Sequence, residues 1–188
     1  MENFESLGLC KALNTSLDKI GFKKPTPIQA QAIPLILDGK DLLGSASTGT
    51  GKTGAFAIPV IDKIITSDEG CALIVTPTRE LAKQVINVVR DLLGPSNSVK
   101  ACCLIGGEAI GKQLNQLKRK PRIIIGTPGR INDHLEKKSL SLKKATYLVL
   151  DETDRMLDMG FGIQIDQILK FMPQERQTLM FSATFPKN

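Results

Sequence analysis

Short apolar runs rich in β-branched residues recur along the chain, at Asp41 to Ala46, Cys71 to Val75, Val99 to Ile105, Arg122 to Ile125, Tyr147 to Leu150 and Thr178 to Phe181, and each has the length and composition of a strand. Between them the apolar spacing changes to that of a helix. Leu81, Val85, Val88, Val89 and Leu92 fall on one face of a helix predicted over Arg79 to Leu93, and another is predicted over Arg130 to Lys137. Ahead of the first strand, Asn14 to Ile20 reads as a helix stopped by Gly21, and Lys24-Pro25-Thr26-Pro27 as a rigid turn entering a helix over Ile28 to Leu37. Strands alternating with helices imply right-handed crossovers and a mainly parallel sheet covered by helices on both faces. In such α/β folds ligands collect beyond the carboxyl ends of the strands. Gly94-Pro95-Ser96-Asn97-Ser98 is the clearest surface turn, and with no repeat or low-complexity tract the 188 residues are expected to form one domain.

Composition narrows the partners. Lys and Arg exceed Asp and Glu by 25 to 19, and the resulting charge of +6 favours a polyanion. Aromatics are only 4% of the chain, with no Trp, so a base-stacking platform is poorly supplied and a nucleic acid would be held by its backbone. Lys118-Arg119-Lys120, followed by Arg122, and the pairs Lys137-Lys138 and Lys143-Lys144 are expected to be solvated helix ends and turns. His134, the sole histidine, has no His or Cys at ligand spacing and is expected at the surface. Cys10, Cys71, Cys102 and Cys103 include no CxxC pair, and the adjacent Cys102 and Cys103 would face opposite sides of a strand, which suits reduced structural thiols. No apolar run approaches the roughly 20 residues of a membrane span, and Met1 to Cys10 carries Glu2 and Glu5 rather than a basic and then apolar leader. A cytoplasmic protein is expected.

The candidate chemistry begins after the first strand. Ala46-Ser47-Thr48-Gly49-Thr50-Gly51-Lys52-Thr53 leads into an apolar helical segment over Ala55 to Ile65, the context of a phosphate-binding loop. Its glycines let backbone N–H groups curl around a polyphosphate at the positive end of a helix dipole. Lys52 would reach the β- and γ-phosphates and the Thr53 hydroxyl would ligate Mg2+. Ala46 stands where GxxxxGK[ST] has its first glycine. Phosphoryl chemistry also needs carboxylates at the end of a neighbouring buried strand. Tyr147-Leu148-Val149-Leu150-Asp151-Glu152 supplies them, with Asp151 holding magnesium through water and Glu152 polarising the attacking water.

Further motifs accompany these: Phe22, Pro25-Thr26-Pro27-Ile28-Gln29, Pro77-Thr78-Arg79-Glu80-Leu81-Ala82, Gly106-Gly107, Thr127-Pro128-Gly129-Arg130, Asp151-Glu152-Thr153-Asp154 and Ser182-Ala183-Thr184. In order and spacing the chain resembles the first RecA-like domain of DEAD-box RNA helicases over nearly its whole length, and Ala46 is that family's own choice. The resemblance implies a RecA-like P-loop NTPase fold, ATP and Mg2+ as cofactors, and a helicase ATP-binding domain over residues 1–188. Its adenine-reading segment would occupy about 2–30: Gln29 would read adenine through its amide, Phe22 would stack on the base, and Phe4 would pack behind. Ser182 and Thr184 would bond towards Asp154 and link the ATP site to RNA. Thr153 replaces the family's usual alanine, which is expected to leave catalysis competent.

By the same resemblance Pro77, Thr78, Arg79, Gly107, Thr127, Pro128, Gly129 and Arg130 would grip RNA by phosphate and ribose, with weak sequence preference and strong salt dependence. A second RecA-like domain, expected beyond Asn188, would close on this one and bring arginine fingers, so the isolated chain is expected to be nearly inactive and monomeric. A DNA helicase or translocase shares the phosphate loop and acidic strand end, and an ATP-gated RNA clamp would share the whole set of motifs.

Overall fold

The computed structural model describes residues 3–185. A 3₁₀ turn over Phe4–Leu7 precedes α1 (Lys11–Lys19) and α2 (Pro27–Leu37). Then β1 (Leu42–Ser45), α3 (Lys52–Ile65), β2 (Cys71–Val75), α4 (Arg79–Leu93), β3 (Ala101–Leu104), α5 (Ile110–Lys118), β4 (Ile123–Gly126), α6 (Pro128–Glu136) and β5 (Ala145–Leu150) alternate. Two short helices, α7 (Thr153–Asp158) and α8 (Gly162–Leu169), separate β5 from β6 (Gln177–Ser182). The strands form one sheet in the order β1-β6-β5-β2-β4-β3, and every pairing in it is parallel. All six carboxyl ends therefore open on one edge, while every link is a helical crossover.

Side chains alternate between two cores. Ala72, Ile74, Cys103, Ile125, Val149 and Phe181 pack with Leu13 and Leu17 of α1, Ile33 and Ile36 of α2, and the apolar faces of α3 and α4. Leu73, Val75, Cys102, Leu104, Leu148 and Leu150 face the other way, against Ile131 and Leu135 of α6, Met156 of α7, and Ile165 and Ile168 of α8. Cys102 and Cys103 lie on opposite faces, and burial raises the thiols of Cys71, Cys102 and Cys103 to about 11, 12 and 11. All four cysteines are free.

Helices α5, α7 and α8 were not predicted from the apolar spacing. Position 113, which α5 turns inward, is a buried glutamine rather than an apolar residue, and α7 covers only six residues. Strand β3 is shorter than its predicted span, because Val99 and Lys100 lie ahead of it and Ile105 enters the following loop. Helix α3 begins at Lys52, before the apolar segment starts at Ala55.

Arg122 is not the solvated charge its neighbours suggest. Its guanidinium donates from Nε to the Gly70 carbonyl at 2.9 Å, from NH1 to Ile64 at 2.9 Å and from NH2 to Glu69 at 2.6 Å. One planar fork thus ties the end of α3 and the turn into β2 to the start of β4. Lys118, Arg119, Lys120, Lys137, Lys138, Lys143 and Lys144 are exposed, as expected. Replacing Arg122 with Ala takes the donor from the part-buried Ile64 and Gly70 carbonyls, while Glu69 keeps the Ser67 hydroxyl, and chemical denaturation is expected to show a loss of about 2–3 kcal/mol with little change in the denaturant slope.

Candidate functional site

Gly49 and Gly51 adopt φ of +80° and +83°, in the left-handed region that lets the chain curl from β1 into α3. A Cβ on Gly51 would sit 2.7 Å from both Gln29 Nε2 and Thr26 Oγ1, so the loop is seated against the start of α2. Gln29, only 3% exposed, donates from Nε2 to the Gly51 carbonyl at 3.0 Å and accepts the Thr26 N–H at 3.0 Å. Half of its amide capacity remains for a base. Thr50 closes the loop internally by donating to the Ser47 carbonyl at 2.7 Å. The first N–H groups of α3, from Lys52 and Thr53 onward, have no carbonyl within their own helix, so an anion can satisfy them.

The Lys52 ammonium is buried and lies 3.0 Å from Asp151 Oδ1 and 3.4 Å from Glu152 Oε1. Burial raises the Asp151 pKa, Lys52 counteracts it, and the neighbouring Glu152 charge raises it again. Glu152 itself sits at φ +54°, a left-handed conformation that turns the chain sharply from β5 into α7. A pocket of about 250 Å³ brings together Phe22, Gln29, residues of the loop from Ser47 to Thr53, Asp151 and Glu152. Phe4 packs behind Phe22 with ring centroids 6.2 Å apart. Ala46 lies outside this lining and borders the neighbouring cleft with Ser47, Gly49, Thr50 and Ala183.

The remaining member of the acidic turn faces β6. Asp154 Oδ2 accepts from both the Thr184 N–H and the Thr184 hydroxyl at 3.0 Å, and the Asp154 N–H donates to Ser182 Oγ at 3.3 Å. Burial acts to raise this carboxyl, but hydrogen bonds from Thr184 and the Arg155 N–H outweigh it and hold the pKa below its ordinary value. Thr153 is buried and its hydroxyl donates to the Leu150 carbonyl at 3.2 Å, so the extra oxygen is satisfied within its own turn.

A second cleft, of about 520 Å³, opens along the same edge beyond β2, β3 and β4. Pro77, Thr78, Arg79, Gly106, Gly107, Thr127, Gly129 and Arg130 line it, while Pro128 is buried at the first position of α6. Thr78 caps α4 by accepting the Leu81 N–H at 3.2 Å, and the Arg79 guanidinium lies so close to Gly107 that a Cβ there would collide with it. This surface offers hydroxyls, a glycine loop and two guanidinium groups, which are the groups that meet phosphate and ribose oxygens, together with the carboxylates of Glu80 and of Asp133, the latter paired with Arg130.

A family model described as DEAD/DEAH box helicase matches residues 26–188, most of the chain. The chain belongs to this family. This DEAD-box domain is 48% identical over 187 residues to the ATP-dependent RNA helicase CshA of Listeria monocytogenes, covering 99% of this chain and 36% of that protein. It is 48% identical to the ATP-dependent rRNA helicase RRP3 of Candida albicans, covering 97% of this chain and 34% of that protein. Among solved structures, a DEAD box protein from the hyperthermophile Methanococcus jannaschii superposes with a TM-score of 0.91 at 42% identity, over 98% of this chain and 50% of that one. The RecA-like fold follows directly. The DEAD-box domain spans about a third of the curated relatives it matches.

Spacing alone missed a group of residues behind the second cleft. His134 is wholly buried, not superficial, with Nε2 2.8 Å from Gln113 Oε1 and Nδ1 2.8 Å from Ser139 Oγ. The only hint in the sequence is that position 134 falls between Ile131 and Leu135 on the inner face of α6. Burial lowers the His134 pKa below 6.5, Arg130 and Lys137 lower it further, and Asp133 opposes them. The unfolded chain takes up the proton near 6.5 while the fold resists it, so the associated stability is complete above about pH 6.5 and is lost as pH falls below it. Thermal melts of the DEAD-box domain should show that decline, and His134→Gln should flatten it just below pH 6.5. Gln29→Ala removes the bond to Gly51 that braces the glycine loop and the bond to Thr26 that fixes the start of α2 beside it, so it is expected to weaken ATP and inorganic triphosphate alike by about tenfold; calorimetry that finds only ATP affected would leave base reading as the sole role of Gln29.

Proposed function

We propose that this domain binds ATP with magnesium in the pocket around Lys52, holds RNA by its backbone in the second cleft, and serves as the first RecA-like half of an ATP-dependent RNA helicase. The observation that carries the reading is the Lys52 ammonium set between Asp151 and Glu152, 3.0 and 3.4 Å away, at the mouth of a glycine loop. The relatives, an ATP-dependent RNA helicase and an ATP-dependent rRNA helicase, support RNA as the polymer and ATP as the nucleotide.

Lys52 and the loop N–H groups would hold the phosphates, and Gln29 and Phe22 the base. Thr53 and Asp151, a hydroxyl and a carboxylate, are oxygen donors of the kind a hard divalent cation takes. When bound, that cation supplies charge neutralisation along the phosphate chain. Glu152 would orient and polarise the attacking water, and Asp154 with Ser182 and Thr184 would carry the state of the pocket to β6. A second RecA-like domain in the same full-length protein would complete the site, in keeping with the share of its relatives that this chain spans. The reading extends to a cytoplasmic monomer, in keeping with four free cysteines, three of them buried.

Replacing Glu152 with Gln in the natural full-length protein is expected to lower RNA-stimulated ATP hydrolysis by about 100-fold or more, the usual contribution of a general base, with ATP affinity changed by no more than a few fold. Hydrolysis that RNA does not stimulate, or that DNA stimulates equally, would overturn the assignment.

A further inference from the structure

Behind the second cleft lies a closed polar network that the nucleotide chemistry does not use. Gln113 is fully buried on α5 and donates from Nε2 to the Ile105 carbonyl at 2.6 Å. Its Oε1 receives two groups, His134 Nε2 at 2.8 Å and Arg130 NH1 at 3.3 Å. Arg130 NH1 also donates to the Glu108 carbonyl at 3.2 Å, and its Nε pairs with Asp133 at 3.5 Å. Ile105 and Glu108 flank Gly106-Gly107, so one amide and one guanidinium hold both ends of the glycine loop.

The chemistry of the partners fixes the protons. The Ile105 carbonyl demands the amide NH2, and Arg130 can only donate, so the Gln113 oxygen must face Arg130 and His134. His134 Nε2 therefore carries a proton, and in the neutral ring Nδ1 accepts the Ser139 hydroxyl at 2.8 Å, the nearer of the two acceptors that hydroxyl faces, the other being the His134 carbonyl at 3.2 Å. The charged groups acting on the ring are Arg130 and Asp133 of its own helix and Lys137 at that helix's C-cap, and from α5 the neutral Gln113 amide meets it. With NH1 and Nε engaged, NH2 of Arg130 has no partner among the described residues. Arg130 also lines the cleft.

We propose that His134 is a positioning residue for the backbone grip: acting through Gln113, it locks Arg130 and the Gly106-Gly107 loop in the geometry that meets the polymer. The inference rests on the reading of the second cleft as an RNA-backbone site. It assigns a purpose to a histidine that touches no ligand, and it predicts that removing the Nε2 donor frees Gln113 to turn, after which Arg130 keeps Glu108 and Asp133 but loses the Gln113 oxygen, one of the three partners that fix its direction. Gln at position 134 can place an amide N–H near the lost Nε2–H; Leu cannot.

The test compares His134→Leu, His134→Gln, Arg130→Ala and the double variant His134→Leu/Arg130→Ala in the natural full-length protein, using fluorescence anisotropy of labelled single-stranded oligouridylate across a salt series. His134→Leu is expected to weaken RNA binding by about tenfold and to reduce the slope of log affinity against log salt by about 0.7, the share of one phosphate contact on a single strand. His134→Gln should restore both within about twofold, ATP affinity should stay unchanged, and the double variant should be no weaker than Arg130→Ala alone. RNA affinity and salt slope unchanged in a folded His134→Leu protein, with Arg130→Ala weakened, would overturn the inference and leave the proposed function standing. Loss of RNA binding in the unaltered protein would instead remove the function and the inference with it. If His134→Leu does not fold, nitrogen-15 shifts of the wild-type imidazole decide: protonated Nε2 with bare Nδ1 supports the network, and a bare Nε2 overturns it.

Discussion

A buried ammonium between two carboxylates holds this molecule's chemistry in one place. Lys52 is 8% exposed and Asp151 1%, and neither charge would tolerate that environment alone. Lys52 comes from the start of α3 and Asp151 from the end of β5, so their contact crosses the end of β6, the strand between β1 and β5. The pairing therefore joins two turns that share no backbone ladder. It also keeps a desolvated cation at the floor of the glycine loop, where a polyphosphate can exchange with the carboxylates as its partner without the charge ever standing bare.

The strand order then divides the work. The ends of β1, β6 and β5 carry the glycine loop, Ser182-Ala183-Thr184 and the acidic turn, while those of β2, β4 and β3 carry Pro77 to Arg79, Thr127 to Arg130 and Gly106-Gly107. Strand β2 is the boundary. The Asp151 N–H donates to the Val75 carbonyl at 3.0 Å, so the acidic turn is pinned to the strand whose next residues open the second cleft. On the other side of the acidic turn, Thr184 clasps Asp154. A displacement of the acidic turn must therefore be felt both at β6 and at β2, which is the mechanical condition for coupling two sites on one rigid sheet.

Where local pattern and tertiary role agreed, the sequence was legible to the residue. The span of β2 and that of α4 coincide with the predicted ones because β2 is apolar throughout and α4 has a one-sided apolar stripe, a threonine cap and a glycine stop. The phosphate loop and acidic strand end were legible because spacing and residue type together define them. The failures share a cause. Gln113 breaks the apolar stripe of α5, His134 has the hydropathy of a surface residue, and Arg122 sits beside a solvated basic run, yet each is satisfied by partners far along the chain. Hydropathy scores one residue at a time, whereas a polar group becomes a core residue only when its partner is also present.

The same device recurs in three places, and in two of them, Gln113 and Gln177, nothing in the sequence marked the glutamine. Gln29 donates to the Gly51 carbonyl, Gln113 to Ile105 beside Gly107, and Gln177 to both Ile36 and Lys40 around Gly39. Gly39, Gly51 and Gly107 all have φ near +80°. A left-handed glycine allows the chain to turn, and carbonyls near it keep room for a side-chain donor even where a backbone N–H already reaches them, as Ala55 reaches Gly51 and Gly39 reaches Ile36. A glutamine amide meets them without the desolvation cost of a lysine or arginine, and its remaining oxygen can take a donor from elsewhere, Thr26 in one case, His134 and Arg130 in another. Permissive backbone and restraining side chain are thus separate in sequence and inseparable in the fold: the glycine makes each turn possible, and the buried amide makes it single-valued.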